Sequence, residues 1–263
     1  MADTEIAQQL IEGRFDIPDE IDDATALILE EIGRIGVQLS NGDITIDISA
    51  EEFKYFWRRI KEGTSSSISG IHYGHYTAAA TDDKLADFLA KEVTLIARTG
   101  IAPERWSYGL TVMLEKVAGL ALVNKLRAIL LMEADFNFHN KLIFGRRMLA
   151  AARAAGIIPE EQFAERESTA EDGKWMGILA TDIVRQRRKR MVMISADAAN
   201  CFDRIHHTIM ALIYACMGVG LGAIRAMLVS IQLMKFFLRT GWGDSTTFIG
   251  GDRLRILHGL CQG

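Results

Sequence analysis

Apolar residues in this chain recur mostly three or four positions apart, the spacing that lines one face of a helix. Ile21, Ala24, Ile28, Ile32 and Ile35 follow it and stop at Gly36, which predicts a first amphipathic helix. The pattern then switches to period two. Ile44, Ile46 and Ile48 alternate in GDITIDIS (42–49), as a half-buried strand requires. Ser49 and Glu52 have the spacing of a capping box, opening a helix whose Phe53, Phe56, Trp57 and Ile60 share a face. The small residues of TSSSISG (64–70) break the periodicity as a loop, and a further helix runs from about Asp82 to Gly100.

Beyond residue 100 the elements are denser. GLTVMLEK (109–116) reads as a strand ending in a lysine, and KLRAILLM (125–132) as a second strand with Arg127 near its start; a turn at Gly119 makes them a hairpin. A helix begins at Asp135 and runs to Gly156, with Pro159 as a stop signal. Ser168 and Glu171 are expected to cap another helix, with Trp175, Ile178, Leu179 and Ile183 facing inward. Its basic end, RQRRKR (185–190), complements the helix dipole. From Thr208 to Ile224 there is no charge, and after Arg225 an apolar run continues to Met234. Each run falls short of the ~20 residues that span a bilayer, so both are expected as buried core helices. Helices and strands in this order predict a helix-rich α+β fold.

The chemistry concentrates in MVMISADAANCFDRIHH (191–207). An apolar run, read as a buried strand, delivers Asp197; a tight turn carrying Phe202 and Asp203 follows, then a helix from about His207. A carboxylate at the end of a buried strand is costly unless a cation meets it, and a divalent metal holding a nucleoside triphosphate is one such cation. Spacing alone equally allows an aspartate that caps the next helix.

Composition narrows the class. The 263 residues are 49% hydrophobic, enough for a substantial core, and three prolines leave room for long helices. Cys201, Cys216 and Cys261 are odd in number and lack zinc spacing, so no disulfide partner is expected and the chain reads as intracellular. The polar, acidic start resembles no secretory or mitochondrial leader. The net charge of −4 conceals an asymmetry: residues 1–100 carry 9 lysines and arginines against 19 acids, and the remainder 21 against 15. A basic second part suits a phosphate-rich partner, and it holds the candidate aspartate.

Strand-Lys, strand-Arg, a basic helix, apolar strand-Asp-x4-Phe-Asp-x-Ile-x-His, and a final Gly-Leu-Cys-Gln-Gly resemble the fingers and palm of reverse transcriptases, nearest the non-LTR retrotransposon and group II intron branch. The resemblance covers about residues 64–263. It implies an acidic N-terminal region (1–62), a fingers-like region (63–190) and a partial palm (191–263) of a right-hand polymerase. In that family the aspartate matching Asp197 holds catalytic magnesium (or manganese), and the backbone matching Ala198 lies beside the nucleotide's phosphates. Phe202 matches the aromatic gate that excludes a 2′-hydroxyl, and Lys116 and Arg127 match the cations on the triphosphate. Gln262 and Gly263 match the motif lining the nucleotide pocket, with Cys261 where proline is usual. Ala128, Ile68 and Ala164 are further departures, standing where the family has proline, proline and glycine. Gln162 and Arg166 match a template-backbone stretch.

The implied reaction is two-metal nucleotidyl transfer from a deoxynucleoside triphosphate to a DNA primer on an RNA template. The implied location is nuclear or cytoplasmic if the source is a eukaryotic retroelement, with no membrane partner. The family's aromatic-x-Asp-Asp motif does not follow Gly-Leu-Cys-Gln-Gly here, and an ending on Gln-Gly reads as an interruption. The chain is therefore expected to be a fragment, inert alone. Three rivals remain: an RNA-directed RNA polymerase, given Asp197 and Asp203; a non-catalytic nucleic-acid-binding or decayed-element protein; and an unrelated helical interaction protein.

Overall fold

Asp82 and Gly100 bracket a helix as the sequence requires. The Asp82 carboxylate accepts the Leu85 amide, and Gly100 takes a left-handed φ of 72° that closes the last turn. This is α5 (Asp83–Thr99), which buries Ala86, Ala90, Val93, Ile96 and Ala97 along one stripe. The computed structural model describes residues 2–39, 44–61, 63, 67–120, 122, 125–159, 161–164, 168–196, 201–240, 242–254 and 259.

Before α5 come α1 (Glu5–Ile11), α2 (Asp23–Leu39), α3 (Ala50–Trp57) and α4 (Tyr73–Ala79). The Ser49/Glu52 capping box forms at α3. Phe53 and Trp57 are fully buried, with Tyr73 and Tyr76 of α4 and Phe138 around them. Trp57 stacks on Tyr76 at 4.6 Å, and Phe53 meets Phe138 edge-on at 5.5 Å, both favourable ring geometries.

Two early expectations change. Gly36 does not stop α2, which continues to Leu39; a side chain there would collide with the Ile11 carbonyl, so the glycine serves close helix contact. Ile32 is buried but Ile28 is exposed, because α1 and the helix at His207–Cys216 cover only part of the stripe. Residues 44–48 keep the expected alternation of burial without forming a strand. Ile44 makes a single bridge to Val219, and the Ile48 amide donates to the Thr94 hydroxyl at 2.9 Å instead.

The hairpin is present. β1 (Tyr108–Glu115) pairs antiparallel with β2 (Leu126–Leu131), Leu110 opposite Leu131 and Leu114 opposite Arg127. The long helix is also present, as α6 (Ala134–Leu142), a π-helical turn (Ile143–Met148) and α7 (Leu149–Ala154). α9 (His207–Cys216) and α10 (Leu221–Gln232) are core helices as expected, and no described helix is long and apolar enough to cross a membrane. β3 (Lys235–Thr240) then lies parallel to β1, Tyr108 opposite Lys235. β4 (Gly243–Asp244) and β5 (Ile249–Gly250) return along the other edge of β3. The described sheet order is β2-β1-β3-β4, a small open sheet in a mixed, helix-rich fold. Gly109, Leu130 and Phe236 turn one sheet face toward the core formed by Trp106, Phe136, Met227 and Met234.

Three other expectations are corrected. α8 (Ala170–Gln186) is capped by Thr169 and Asp172, one residue later than the Ser168 pair. It buries nothing: Trp175, Ile178, Leu179 and Ile183 are exposed, because no described element packs along their face. Most important, residues 191–196 are not a buried strand. Val192 and Ile194 are 84% and 86% exposed, and the segment pairs with no described strand. β1 is already flanked by β2 and β3, so this run has no place at the centre of the sheet.

Candidate nucleic-acid interface

Register places four cations on one face of the sheet. Residues opposite one another point the same way, as do residues two apart along a strand. Arg127 opposes Leu114, and Lys116 lies two beyond Leu114; the Lys116 amide continues the ladder to the Lys125 carbonyl at 3.0 Å. Arg239 opposes Val112 and Lys235 opposes Tyr108 on the same side. Lys116, Arg127, Lys235 and Arg239 therefore share a face with Tyr108 and Phe237, opposite the core-facing one.

Their charges are not equivalent. Lys235 donates to Glu104 at 2.8 Å, which also accepts the Tyr108 hydroxyl at 2.9 Å. Hydrogen bonding lowers the Glu104 pKa and raises those of Lys235 and Tyr108. Arg239 forks onto Asp244 at 2.7 and 2.8 Å, raising its own pKa and lowering that of the aspartate. Lys116 and Arg127 are exposed and make no ion pair among the described residues. They are the two cations on this face available to an external phosphate. Rings lie alongside: the Lys235 ammonium sits 4.9 Å from the Tyr108 centroid and 5.3 Å from that of Phe248, which packs on Phe237 at 5.6 Å. Phe248 is exposed while Tyr108 and Phe237 are half-buried, and a basic face with accessible rings can hold a strand by phosphate contacts and base stacking. Lys235, Phe237 and Arg239 were not expected from sequence, although the alternation in KFFLRT (235–240) is the signal that carries them.

A buried polar network anchors the hairpin. Ser67 donates to the Tyr108 carbonyl at 2.7 Å and Ser69 to Glu133 Oε2 at 2.8 Å, tying the end of the small-residue loop to β1 and to the start of α6. Arg105 grips Asp135 through two bonds of 2.5 and 2.6 Å and reaches Glu133 at 3.5 Å. Burial raises the Glu133 pKa, and its Oε1 has no partner.

The two strongest motifs meet. Phe202 lies in a 3-10 turn (Phe202–Arg204) and is 47% exposed, so it is not a core residue. Just after it, the Ile205 carbonyl accepts the Gly259 amide at 3.2 Å, and His207 Nε2 donates to the Gly259 carbonyl at 2.6 Å. The Gln232 amide donates to His207 Nδ1 at 3.1 Å, which places the ring proton on Nε2. Gly259 opens Gly-Leu-Cys-Gln-Gly, so the tail of one motif holds the head of the other.

Asp197, Ala198, Arg166, Gln262 and Gly263 lie outside the described residues. Gln162 is exposed, and its side-chain oxygen accepts the Ala164 amide at 3.1 Å. Cys201 is an exposed and Cys216 a buried free thiol. Among the described residues no group of three or more histidine, cysteine, aspartate or glutamate side chains is placed to hold a metal ion. No protein-family model matches the chain, and no curated protein matches it.

Proposed function

We propose that the chain is the fingers and part of the palm of an RNA-directed DNA polymerase. The observation that carries this reading is the junction at Gly259. Two hydrogen bonds join the Phe-Asp-x-Ile-x-His tail to the first residue of Gly-Leu-Cys-Gln-Gly, motifs 52 residues apart whose joint presence suggested a polymerase. Support also comes from the hairpin, whose Lys116 and Arg127 share a face and make no ion pair among the described residues. In this reading they contact phosphate, the arginine through two oxygens and the lysine as a point charge. Phe202, exposed beside the junction, abuts the sugar and discriminates by shape.

The test presents the 263-residue chain with an RNA template annealed to a DNA primer and measures retention of the next complementary nucleotide. The deoxynucleotide is expected to be held over the ribonucleotide, and Phe202→Ala to erase the preference. Equal retention of both sugars, or of neither, would count against the reading. Primer extension by the chain alone would overturn the expectation that it is inert by itself.

A second reading, a non-catalytic RNA-binding protein, is favoured by the exposure of residues 191–196, which a working palm would bury. It expects salt-sensitive RNA binding indifferent to Asp197→Asn, with no preference between nucleotide sugars.

A further inference from the structure

Five cations line an open cavity of about 760 Å³ between α3 and the π-helical turn, on elements that contribute nothing to the sheet face. Lys54, Arg58 and Arg59 come from α3 and the turn after it; Arg146 and Arg147 come from the π-helical turn. The wider winding of a π turn narrows the angle between successive side chains, letting two adjacent arginines reach one groove. Such turns recur at functional sites.

The carboxylates present are already committed. Lys54 bonds Glu51 at 3.0 Å and Asp83 at 2.5 Å. Arg147 bonds Glu52 at 2.6 Å and the carbonyls of Thr45 and Asp47 at 2.5 and 2.9 Å, pinning the π turn to the segment before α3. Arg58, Arg59 and Arg146 are left with no ion pair among the described residues. Arg58 only reaches the Ala80 carbonyl at 3.5 Å, and Arg59 bonds the Tyr55 hydroxyl. The guanidinium carbons of Arg59 and Arg146 lie 3.7 and 5.0 Å from the centroid of the exposed Tyr55 ring.

Two guanidinium groups converging on one ring, with a third beside them, repel one another unless an anion intervenes. Stacking on the ring holds their planar forks in place, which lowers the ordering cost of binding an anion. One carboxylate has too few acceptor oxygens for three such forks; each phosphate offers three, and the cavity has room for more than one. We propose that this groove is a binding site for a polyphosphate anion, supplied by a free nucleotide or by successive phosphates of an RNA strand. The inference stands independently of the polymerase reading.

The experiment titrates the chain with inorganic tripolyphosphate by calorimetry, and with a labelled single-stranded RNA by anisotropy in the presence and absence of tripolyphosphate. The variants are Arg59→Ala/Arg146→Ala, Arg59→Lys/Arg146→Lys, and Lys116→Ala/Arg127→Ala on the sheet, with circular dichroism as the folding check. Tripolyphosphate is expected to bind one per chain, about tenfold more weakly in the double-alanine variant, from the loss of charged hydrogen bonds. The double-lysine variant should retain part of the affinity, and the sheet variant all of it. If tripolyphosphate displaces RNA from the sheet variant, the strand is the source; if it binds without displacing RNA, a free polyphosphate is. Tripolyphosphate binding that is absent, or unchanged in a folded Arg59→Ala/Arg146→Ala chain, overturns the proposal.

Discussion

His207 donates from Nε2 to the carbonyl of Gly259 at 2.6 Å while accepting the Gln232 amide at Nδ1, so one buried ring bridges α10 to a motif 52 residues downstream. The ring is 3% exposed, which means that its partners cannot turn to water when it is removed. His207→Phe fills the volume but orphans a carbonyl and an amide. We expect a loss of about 2–3 kcal/mol in urea unfolding, with proteolysis near Gly259 accelerated. A loss below about 0.5 kcal/mol would mean that the junction contributes little.

Under the proposed polymerase reading, Phe202 should separate stability from selectivity. A buried phenylalanine truncated to alanine costs about 3–5 kcal/mol, but this ring is half exposed in a short 3-10 turn. Phe202→Ala should move the unfolding midpoint only slightly while changing discrimination between ribose and deoxyribose. A large stability loss would assign the ring to packing.

Lys116 and Arg127 should act through the salt dependence of RNA binding. Neither has an ion pair among the described residues, so replacing either with alanine orphans no described carboxylate. Each replacement should lower the slope of log affinity against log salt by about one. Lys235→Ala and Arg239→Ala should do less, since Glu104 and Asp244 already offset those charges. Equal effects at all four positions would argue against the distinction.

Two buried groups give opposite pH dependences. Burial pushes His139 down to about 4, with its Nε2 unpartnered, so the folded chain favours the neutral ring. That contribution is complete above the ring's ordinary pKa of about 6.5 and is lost as the pH falls toward 4, on the order of 3 kcal/mol at full extent. Glu133 has the reverse sign. Its raised pKa means that folding favours the protonated acid, so its contribution is complete below the ordinary carboxylate range and is lost as the pH rises through the folded value. Urea midpoints between pH 4 and 8 should show His139→Phe flattening the acid limb. Glu133→Gln, which keeps a neutral group against Ser69, should remove the loss that accompanies rising pH. Profiles parallel to that of the unaltered chain would refute both assignments.

Gly222 marks the crossing of α10 over α5. A β-carbon there would overlap the carbonyls of Ala97 and Arg98, which are backbone and cannot rotate away. Gly222→Val should cost about 1–3 kcal/mol or more, as overpacking does, read as a lower melting temperature. An unchanged melting temperature would show that the helices can separate without penalty.

Local pattern was enough wherever the deciding contacts lie within a few residues. The Ser49/Glu52 box, the Asp82-to-Gly100 helix and the β1–β2 hairpin depend on caps and alternation, and all three form as the sequence predicts. Lys116 and Arg127 were legible for the same reason, since hairpin register sets their shared face. The cap of α8 moved by one residue because Ser168/Glu171 and Thr169/Asp172 offer the same chemistry at adjacent positions.

Apolar character foretold burial for α9 and α10 but not for two other segments. Residues 191–194 and the stripe of α8 look buried in sequence, yet no described neighbour covers them. Hydrophobicity states what a segment would gain by burial, not whether a surface is there to receive it. The chain by itself thus determined the caps of α3 and α5, its hairpin and two of the four cations on one sheet face. Only the tertiary structure decided that β3 lies beside β1, that His207 reaches Gly259, and that Arg146 comes to the Tyr55 ring. Such contacts join residues tens to more than a hundred positions apart, and no local periodicity records which distant surfaces meet.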